Sequence, residues 1–375
     1  MVSWGGAAVR RFRRAARAAG PRSSLLALLG LVAMTACAPR LAAPEAERLL
    51  GALFAPPTPA EMAAVRAEWE RRDTGVHGWR VEWQSAEAGR RTLVVSHLVD
   101  GFRHYGLVRV PAAGARRPVL VVAHGGDDGA ARWQFFREGP LSEEWVQVVP
   151  SFRSERLYAS ATRWYQSEGP PSPWDRDVDD ALALLNGVLA HLPEADGGRV
   201  AALGRSRGAG VALLMAARDP RIRAVVNFSG PTDFFLPEVR SLAGRALRTR
   251  LPRLPGAGYL ADSVLFALRD GRIPLPRARL ELLRRSPAWF AAQLPPTQTH
   301  HGSADDEVPV AHGERLATAL RSVGPAGSAW EFHRYPDGGH RPGSLHGSRP
   351  RAEAFLRRWV LAPDSIGSFT SASAP

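Results

Sequence analysis

The sequence predicts an α/β protein: a mainly parallel sheet flanked by helices, with an antiparallel meander at its N-terminal side. Three observations predict it. Short continuous apolar runs recur at 119–123, 146–149, 200–203 and 224–228, which suits strands buried on both faces. Helical patterns lie between them, and strands alternating with helices build parallel sheets. Upstream, runs at 79–85, 92–99 and 105–110 alternate apolar and polar residues and are broken by Gly89 and Gly101, as in a meander with one solvated face.

In chain order, the first element is an export signal. Arg10, Arg11, Arg13, Arg14, Arg17 and Arg22 precede an apolar stretch that ends at Thr35-Ala36-Cys37, and no acidic residue comes before Glu45. The stretch is too short to span a bilayer. Its ending resembles the lipobox of bacterial lipoproteins, with Met34 in the place of the usual Leu. The resemblance implies cleavage after residue 36, acylation of Cys37 and an exported protein tethered by lipid to a membrane of the cell envelope. Ala38, rather than Asp, after the Cys implies the outer membrane where the cell has one. Cys37 is the single cysteine, so no disulfide forms within the chain.

Residues 37–75 are expected to hold a tether, at 38–57, and one helix. Thr58-Pro59-Ala60-Glu61 places a cap, a first-turn Pro and a capping-box Glu in register, and the helix should run to Arg72. Residues 76–362 are assigned to one large α/β domain. Within it, Ser172-Pro173-Trp174-Asp175 starts a helix with Val178, Leu182, Leu185, Leu189 and Leu192 on one face. Asp177, Asp179 and Asp180 fall in its first turns, where the helix dipole favours negative charge. Residues 234–285 form an insertion with Leu236, Leu242, Leu247, Tyr259, Leu260, Val264, Leu265, Phe266 and Leu268 among many arginines. It reads as a helical cap over the pocket or, equally, as surface decoration. The tail, 363–375, is Ser- and Ala-rich and is expected to be disordered.

Composition narrows the function classes. The 375 residues are 45% hydrophobic, enough for a substantial core. The formal charge of +13 overstates the basicity of the folded part. Six of the 49 basic residues lie ahead of Cys37, which leaves 43 against 36 acidic ones. All are Arg, and they are interleaved with acids, as in Arg66, Glu68, Glu70, Arg71, Arg72 and Asp73. They read as solvated surface, not as a nucleic-acid stripe.

The chemistry is concentrated at Gly204-Arg205-Ser206-Arg207-Gly208. This Gly-x-Ser-x-Gly run follows a buried strand and opens an apolar helix, the setting of a nucleophile elbow. A serine hydroxyl needs a base, and the base an orienting acid, expected in the order Ser, acid, His. Downstream, Asp305 and Asp306 follow the strand-like stretch that ends at His300-His301, and His340 follows Gly338-Gly339 after a strand at 329–335. His333 and His346 are rivals for the base. His300 and His301 are adjacent on a strand and point to opposite faces, which argues against a metal site. His124-Gly125-Gly126 follows the first buried strand and offers one oxyanion amide, and Arg207 offers the other.

In that order, the motifs resemble the catalytic domain of the prolyl oligopeptidase family of α/β hydrolases, near its dienelactone-hydrolase-like members. The series comprises His124-Gly125-Gly126, Pro150-Ser151-Phe152-Arg153-Ser154, Asp180, the Ser206 elbow, Ser229-Gly230-Pro231-Thr232-Asp233, Ser286-Pro287, His301-Gly302-Ser303-Ala304-Asp305 and Gly339-His340. The resemblance spans roughly residues 100–360. It implies Ser206 as nucleophile, Asp305 as acid, His340 as base and Gly125, Gly126 and Arg207 as oxyanion donors. His124 stands where some members place an oxyanion Tyr, which makes it a candidate substrate or oxyanion contact, and Asp233 reads as structural. These 375 residues hold no sequence for the family's β-propeller. The implied activity is hydrolysis of a small ester or short peptide without cofactor or metal, with esterase and peptidase left open. The alternative is an inactive hydrolase scaffold acting as an envelope binding protein.

Overall fold

The computed structural model describes residues 43–87, 89–111, 116–248, 256–323 and 329–361. The export signal, Cys37 and the tail lie outside the described residues. The strands are β1 (Arg80–Glu87), β2 (Arg90–Val99), β3 (Phe102–Val110), β4 (Arg117–Ala123), β5 (Ala130–Ala131), β6 (Val146–Pro150), β7 (Arg156–Tyr158), β8 (Trp164–Gln166), β9 (Ala195–Arg205), β10 (Ile222–Phe228), β11 (Thr297–Gly302) and β12 (Trp330–Tyr335). Among the described residues, nine form one sheet in the order β1-β2-β3-β6-β4-β9-β10-β11-β12, and β5, β7 and β8 form a small second sheet. Pairing is antiparallel from β1 through β3 to β6 and parallel from β6 to β12. The β2–β3 turn is Asp100-Gly101, both at positive φ, the geometry that matches strand twist in a tight hairpin.

The apolar runs fill two cores, one on each sheet face. Neighbours on a strand alternate between them: Val119, Val121, Val200 and Ala202 in one, Leu120, Val122, Ala201 and Leu203 in the other. The Arg176–His191, Arg207–Arg218 and Ala311–Ser322 helices cover the first face, and the Ser348–Leu356 helix covers the second. The meander departs from expectation, because β2 and β3 have no solvated face. Leu93, Val95 and Val108 join the first core, while Val94 and Leu107 join the second under Phe135 and Trp145.

The N-terminal part also differs. The stretch read as a tether contains a helix, Ala43–Leu53, whose Ala46, Leu50 and Leu53 are buried. Their spacing marks one helical face. The Pro59–Glu70 helix has the expected capping box: Glu61 N donates to Thr58 Oγ1 at 3.2 Å, and Thr58 N donates to Glu61 Oε2 at 2.8 Å. Both helices pack on the insertion, whose helices are Pro237–Ala246, Ala257–Leu260, Phe266–Arg269 and Leu275–Leu283. Leu247, Val264, Leu265 and Leu268 lie in the first core with Leu50, Leu53, Val65 and Trp69. Part of the apolar character that suggested a substrate cap is thus met inside the fold, while Leu236, Leu242 and Tyr259 are only partly buried. A boundary at residue 76 is not seen, because 43–75 and the insertion share a core with the sheet.

Arg66 and Arg71 are exposed as expected, but other arginines tie these segments together. Arg279 donates to the carbonyls of Ala52, Leu53 and Ala55 and to both Glu61 oxygens. Arg72, with only 4% of its side chain exposed, donates to Asp175 at 2.6 Å, Asp179 at 3.2 Å and Glu68 at 2.8 Å. Asp177, Asp179 and Asp180 are likewise buried against Arg207, Arg218 and Arg153, so ion pairing adds to their expected dipole role. Replacing one partner strands buried charge, at about 3–5 kcal/mol. Other arginines also face Asp175 and Asp179, so Arg72→Met should lose about 3 kcal/mol, read as a lower urea midpoint at pH 7. A loss below about 0.5 kcal/mol would mean that this pair does not hold the N-terminal helices.

Candidate active site

The candidate residues lie at the C-terminal ends of the parallel strands in two groups, Gly125 against Ser206 and Asp305 against His340. Gly125 follows β4, Ser206 follows β9, Asp305 follows β11 and His340 follows β12. This is the edge where α/β sheets gather ligands and catalytic groups. Each position has a local steric cause.

Ser206 sits at φ 52° and ψ −125°, between β9 and the Arg207–Arg218 helix. Non-glycine residues rarely adopt this conformation, and here packing imposes it. A Cβ on Gly204 would lie 2.2 Å from Gly208 O, and one on Gly208 would lie 2.2 Å from Ala123 O and 2.4 Å from His124 O. The turn therefore closes only with glycine on both sides of the serine. Gly125 is pressed against it, since a Cβ there would meet Arg205 O at 2.8 Å and Ser206 Cβ at 3.0 Å. Arg207 opens the helix, so its amide has no intrahelical carbonyl to bind.

The other half of the site is two loops stitched together. A Cβ on Gly302 would fall 2.0 Å from Gly338 O. At this crossing Ser303 N donates to Tyr335 O and Ala304 N to Gly338 O, both at 2.9 Å. The crossing brings His340 Nδ1 to 3.0 and 2.9 Å from the two Asp305 oxygens. Asp305 also accepts from the amides of Glu307 at 3.1 Å and Val308 at 2.9 Å. Burial opposes its ionisation, but hydrogen bonds from His301, His340 and the Val308 amide outweigh that and hold its carboxyl well below the usual carboxylate range. Asp306 is exposed and Asp305 is buried against the histidine, so the geometry separates the two neighbours.

His340 Nε2 lies 3.7 Å from Glu307 Oε2. Among the described residues the Ser206 hydroxyl has no hydrogen-bond partner. Such bonds are often long without substrate and tighten when it binds. The rival histidines lie elsewhere: His333 stacks on His300 at 5.0 Å, and the His346 carbonyl accepts from Arg351. His300 and His301 face opposite sides of β11, as the strand pleat requires. Asp233 has a structural role, accepting from Arg315 at 2.8 Å and from the Phe235 amide.

Two features escaped the sequence reading. His301 Nε2 donates to Val308 O at 2.8 Å and lies 3.4 Å from Asp305 Oδ2. The strand–loop spacing of four residues hinted at it. His124 does not face a substrate, because its side chain is fully buried, stacked on Phe152 at 4.4 Å and 3.5 Å from Glu155. Glu155 itself, joined to Arg207, carried no sequence signal.

No protein-family model and no curated protein sequence matches the chain. Among solved structures it is similar to acetyl xylan esterase 1 from Thermoanaerobacterium sp., with a TM-score of 0.58 and 18% identity over 84% of this chain and 98% of that one. It is similar to a puromycin-hydrolyzing peptidase of Mycobacterium tuberculosis, with a TM-score of 0.52 and 18% identity over 76% and 48%. A Pyrococcus horikoshii acylaminoacyl peptidase gives 0.50 at 15% identity over 78% and 51%. The chain thus spans about half the length of these two peptidases. At such identities the likeness is one of fold.

A depressed carboxyl contributes stability that is present above the unfolded value, near 3.9, and is lost as pH falls toward the folded one. The stability difference between wild type and Asp305→Asn should therefore be largest near neutral pH and shrink below about pH 4. Urea unfolding at pH 7 and pH 3 measures it. An equal difference at both would show that Asp305 is not held ionised.

Proposed function

Starting from the α/β-hydrolase fold, we propose that this chain is a serine hydrolase that cleaves a carboxylic ester or amide through an acyl-enzyme. The carrying observation is the two-oxygen contact of Asp305 with His340 Nδ1, made by loops that follow adjacent strands of the sheet edge that also carries the strained Ser206 turn. In this reading Asp305 fixes the His340 tautomer that leaves Nε2 free to accept a proton. His340 takes the Ser206 proton as Oγ attacks the carbonyl carbon. The Arg207 amide and the amides of Gly125 and Gly126 hold the oxyanion. His340 then protonates the leaving group, and water repeats the steps to release the acid and free Ser206.

The neighbours are named for ester and peptide hydrolysis alike, so the proposal extends to both bond types. The proposal assigns no role to the 234–285 insertion, whose Leu247, Val264, Leu265 and Leu268 are buried in the core. Glu307, next to His340 Nε2, is exposed and free to move aside for substrate.

A fluorophosphonate probe should label wild type and leave Ser206→Ala unlabelled, and labelling of both or neither would refute the assignment. Asp305→Asn should lower turnover by about four orders of magnitude, while Asp306→Asn keeps most of it. The substrate panel is p-nitrophenyl esters against aminoacyl and prolyl amides. Attachment to an envelope membrane through acylated Cys37 is also proposed, on the sequence alone. Cys37→Ser should abolish incorporation of radiolabelled fatty acid, and unchanged labelling would refute it.

A further inference from the structure

Beneath the turn that carries Ser206 lies a buried polar cluster with no assigned role. Arg207 donates through Nε and Nη2 to Asp177 Oδ2, at 2.9 and 2.7 Å, and through Nη1 to Glu155 Oε1 and, at 3.4 Å, to the carbonyl of Gly126. Its guanidinium lies over the Phe152 ring at 4.8 Å. The second Glu155 oxygen, Oε2, is buried and has no hydrogen-bond partner. His124 Nε2 is also buried and unpartnered, and it lies 3.5 Å from that oxygen. Two orphaned polar atoms facing each other are costly unless a proton lies between them.

The position of that proton follows from the other ring nitrogen. His124 Nδ1 lies 3.3 Å from the Gly125 carbonyl, which only accepts. The ring proton therefore belongs on Nδ1, Nε2 is bare, and the bridging proton belongs to Glu155. We propose that Glu155 acts as a protonated positioning residue: its Oε2–H donates to His124 Nε2 while its Oε1 accepts from Arg207, joining the oxyanion loop to the nucleophile turn. The chain of contacts runs from Arg207 beside Ser206, through Glu155 and His124, to Gly125.

Electrostatics agree. Burial first, with Asp177 and Asp127 adding to it and Arg207 opposing, pushes the Glu155 carboxyl up to about 7. Burial, with Arg207 and Arg205 nearby, pushes His124 down to about 3, so the ring stays neutral. A raised carboxyl keeps its proton below its folded value. The bridge is then whole below about pH 7 and is lost above it, where a carboxylate faces a bare nitrogen.

This inference rests on the serine-hydrolase reading, and one experiment separates the two. The readout is the second-order rate of fluorophosphonate labelling between pH 5.5 and 9. Glu155→Met removes both hydrogen bonds at similar volume and should lower the rate at least tenfold at pH 6.5. Glu155→Gln keeps a donor toward His124 and an acceptor for Arg207. It should restore most of the rate and lack the fall that wild type shows as pH rises through about 7. An unlabelled wild type would refute the serine-hydrolase reading. A labelled wild type with Glu155→Met unchanged, or with Glu155→Gln keeping the same fall, would overturn the bridge alone. Should Glu155→Met not fold, as judged by its urea unfolding curve, the Glu155→Gln profile decides.

Discussion

The site depends on one steric constraint, the contact of glycine backbones where β4, β9 and the following helix meet. Gly204 lies against Gly208, and Gly208 lies against the carbonyls of Ala123 and His124. No side chain fits in either gap, so the turn has a single way to close. That closure sets Ser206 at positive φ and brings Gly125 to its flank. A second contact of the same kind, Gly302 on Gly338, joins the loops of Asp305 and His340. Core packing on both sheet faces over-determines these turns and sustains the strain.

Around this frame the chain places charge where a helical layer would ordinarily be apolar. The first turns of the Arg176–His191 helix carry three aspartates, and each meets an arginine from a different part of the chain. Asp177 meets Arg207 of the Ser206 turn, Asp179 meets Arg72 and Arg218, and Asp180 meets Arg153. The planar, always-charged guanidinium reaches several acceptors at once, which suits such shared sites better than an ammonium. Buried pairs of this kind give little net stability, because desolvation offsets attraction. Their effect here is positional, since each separated segment must dock where its charge is matched. The N-terminal helices, the insertion and the Ser206 turn are thereby registered against one helix.

Much of this was legible in the sequence. The continuous apolar runs of β4, β6, β9 and β10 identified a parallel sheet, since only strands covered on both faces tolerate them. Gly204 and Gly208 around Ser206 identified the turn because its steric demand falls on residues two apart. The placement of Asp305 and His340 came from motif order and strand ends. Thr58 and Glu61 gave the capping box. The helix at Ala43–Leu53 was also written in its Ala46, Leu50 and Leu53 spacing, but proline-flanked alanine composition obscured it.

Other features were settled by tertiary structure alone. Periodicity shows that Val264, Leu265 and Leu268 need burial but not which surface buries them, and docking of the N-terminal helices supplied it. Arg72 and Arg207 look like solvated surface in sequence, because Asp175, Asp179, Asp177 and Glu155, which meet them in the interior, come from other segments. Glu155 and His124 show the limit most clearly. A glutamate thirty-one residues from a histidine has no local pattern, and its protonation depends on burial and on the charges around it. The sequence determined what is local, namely steric turns, alternation and caps. Long-range desolvation and the pairing of distant charges exist only once the chain has folded, so the tertiary structure alone decided them.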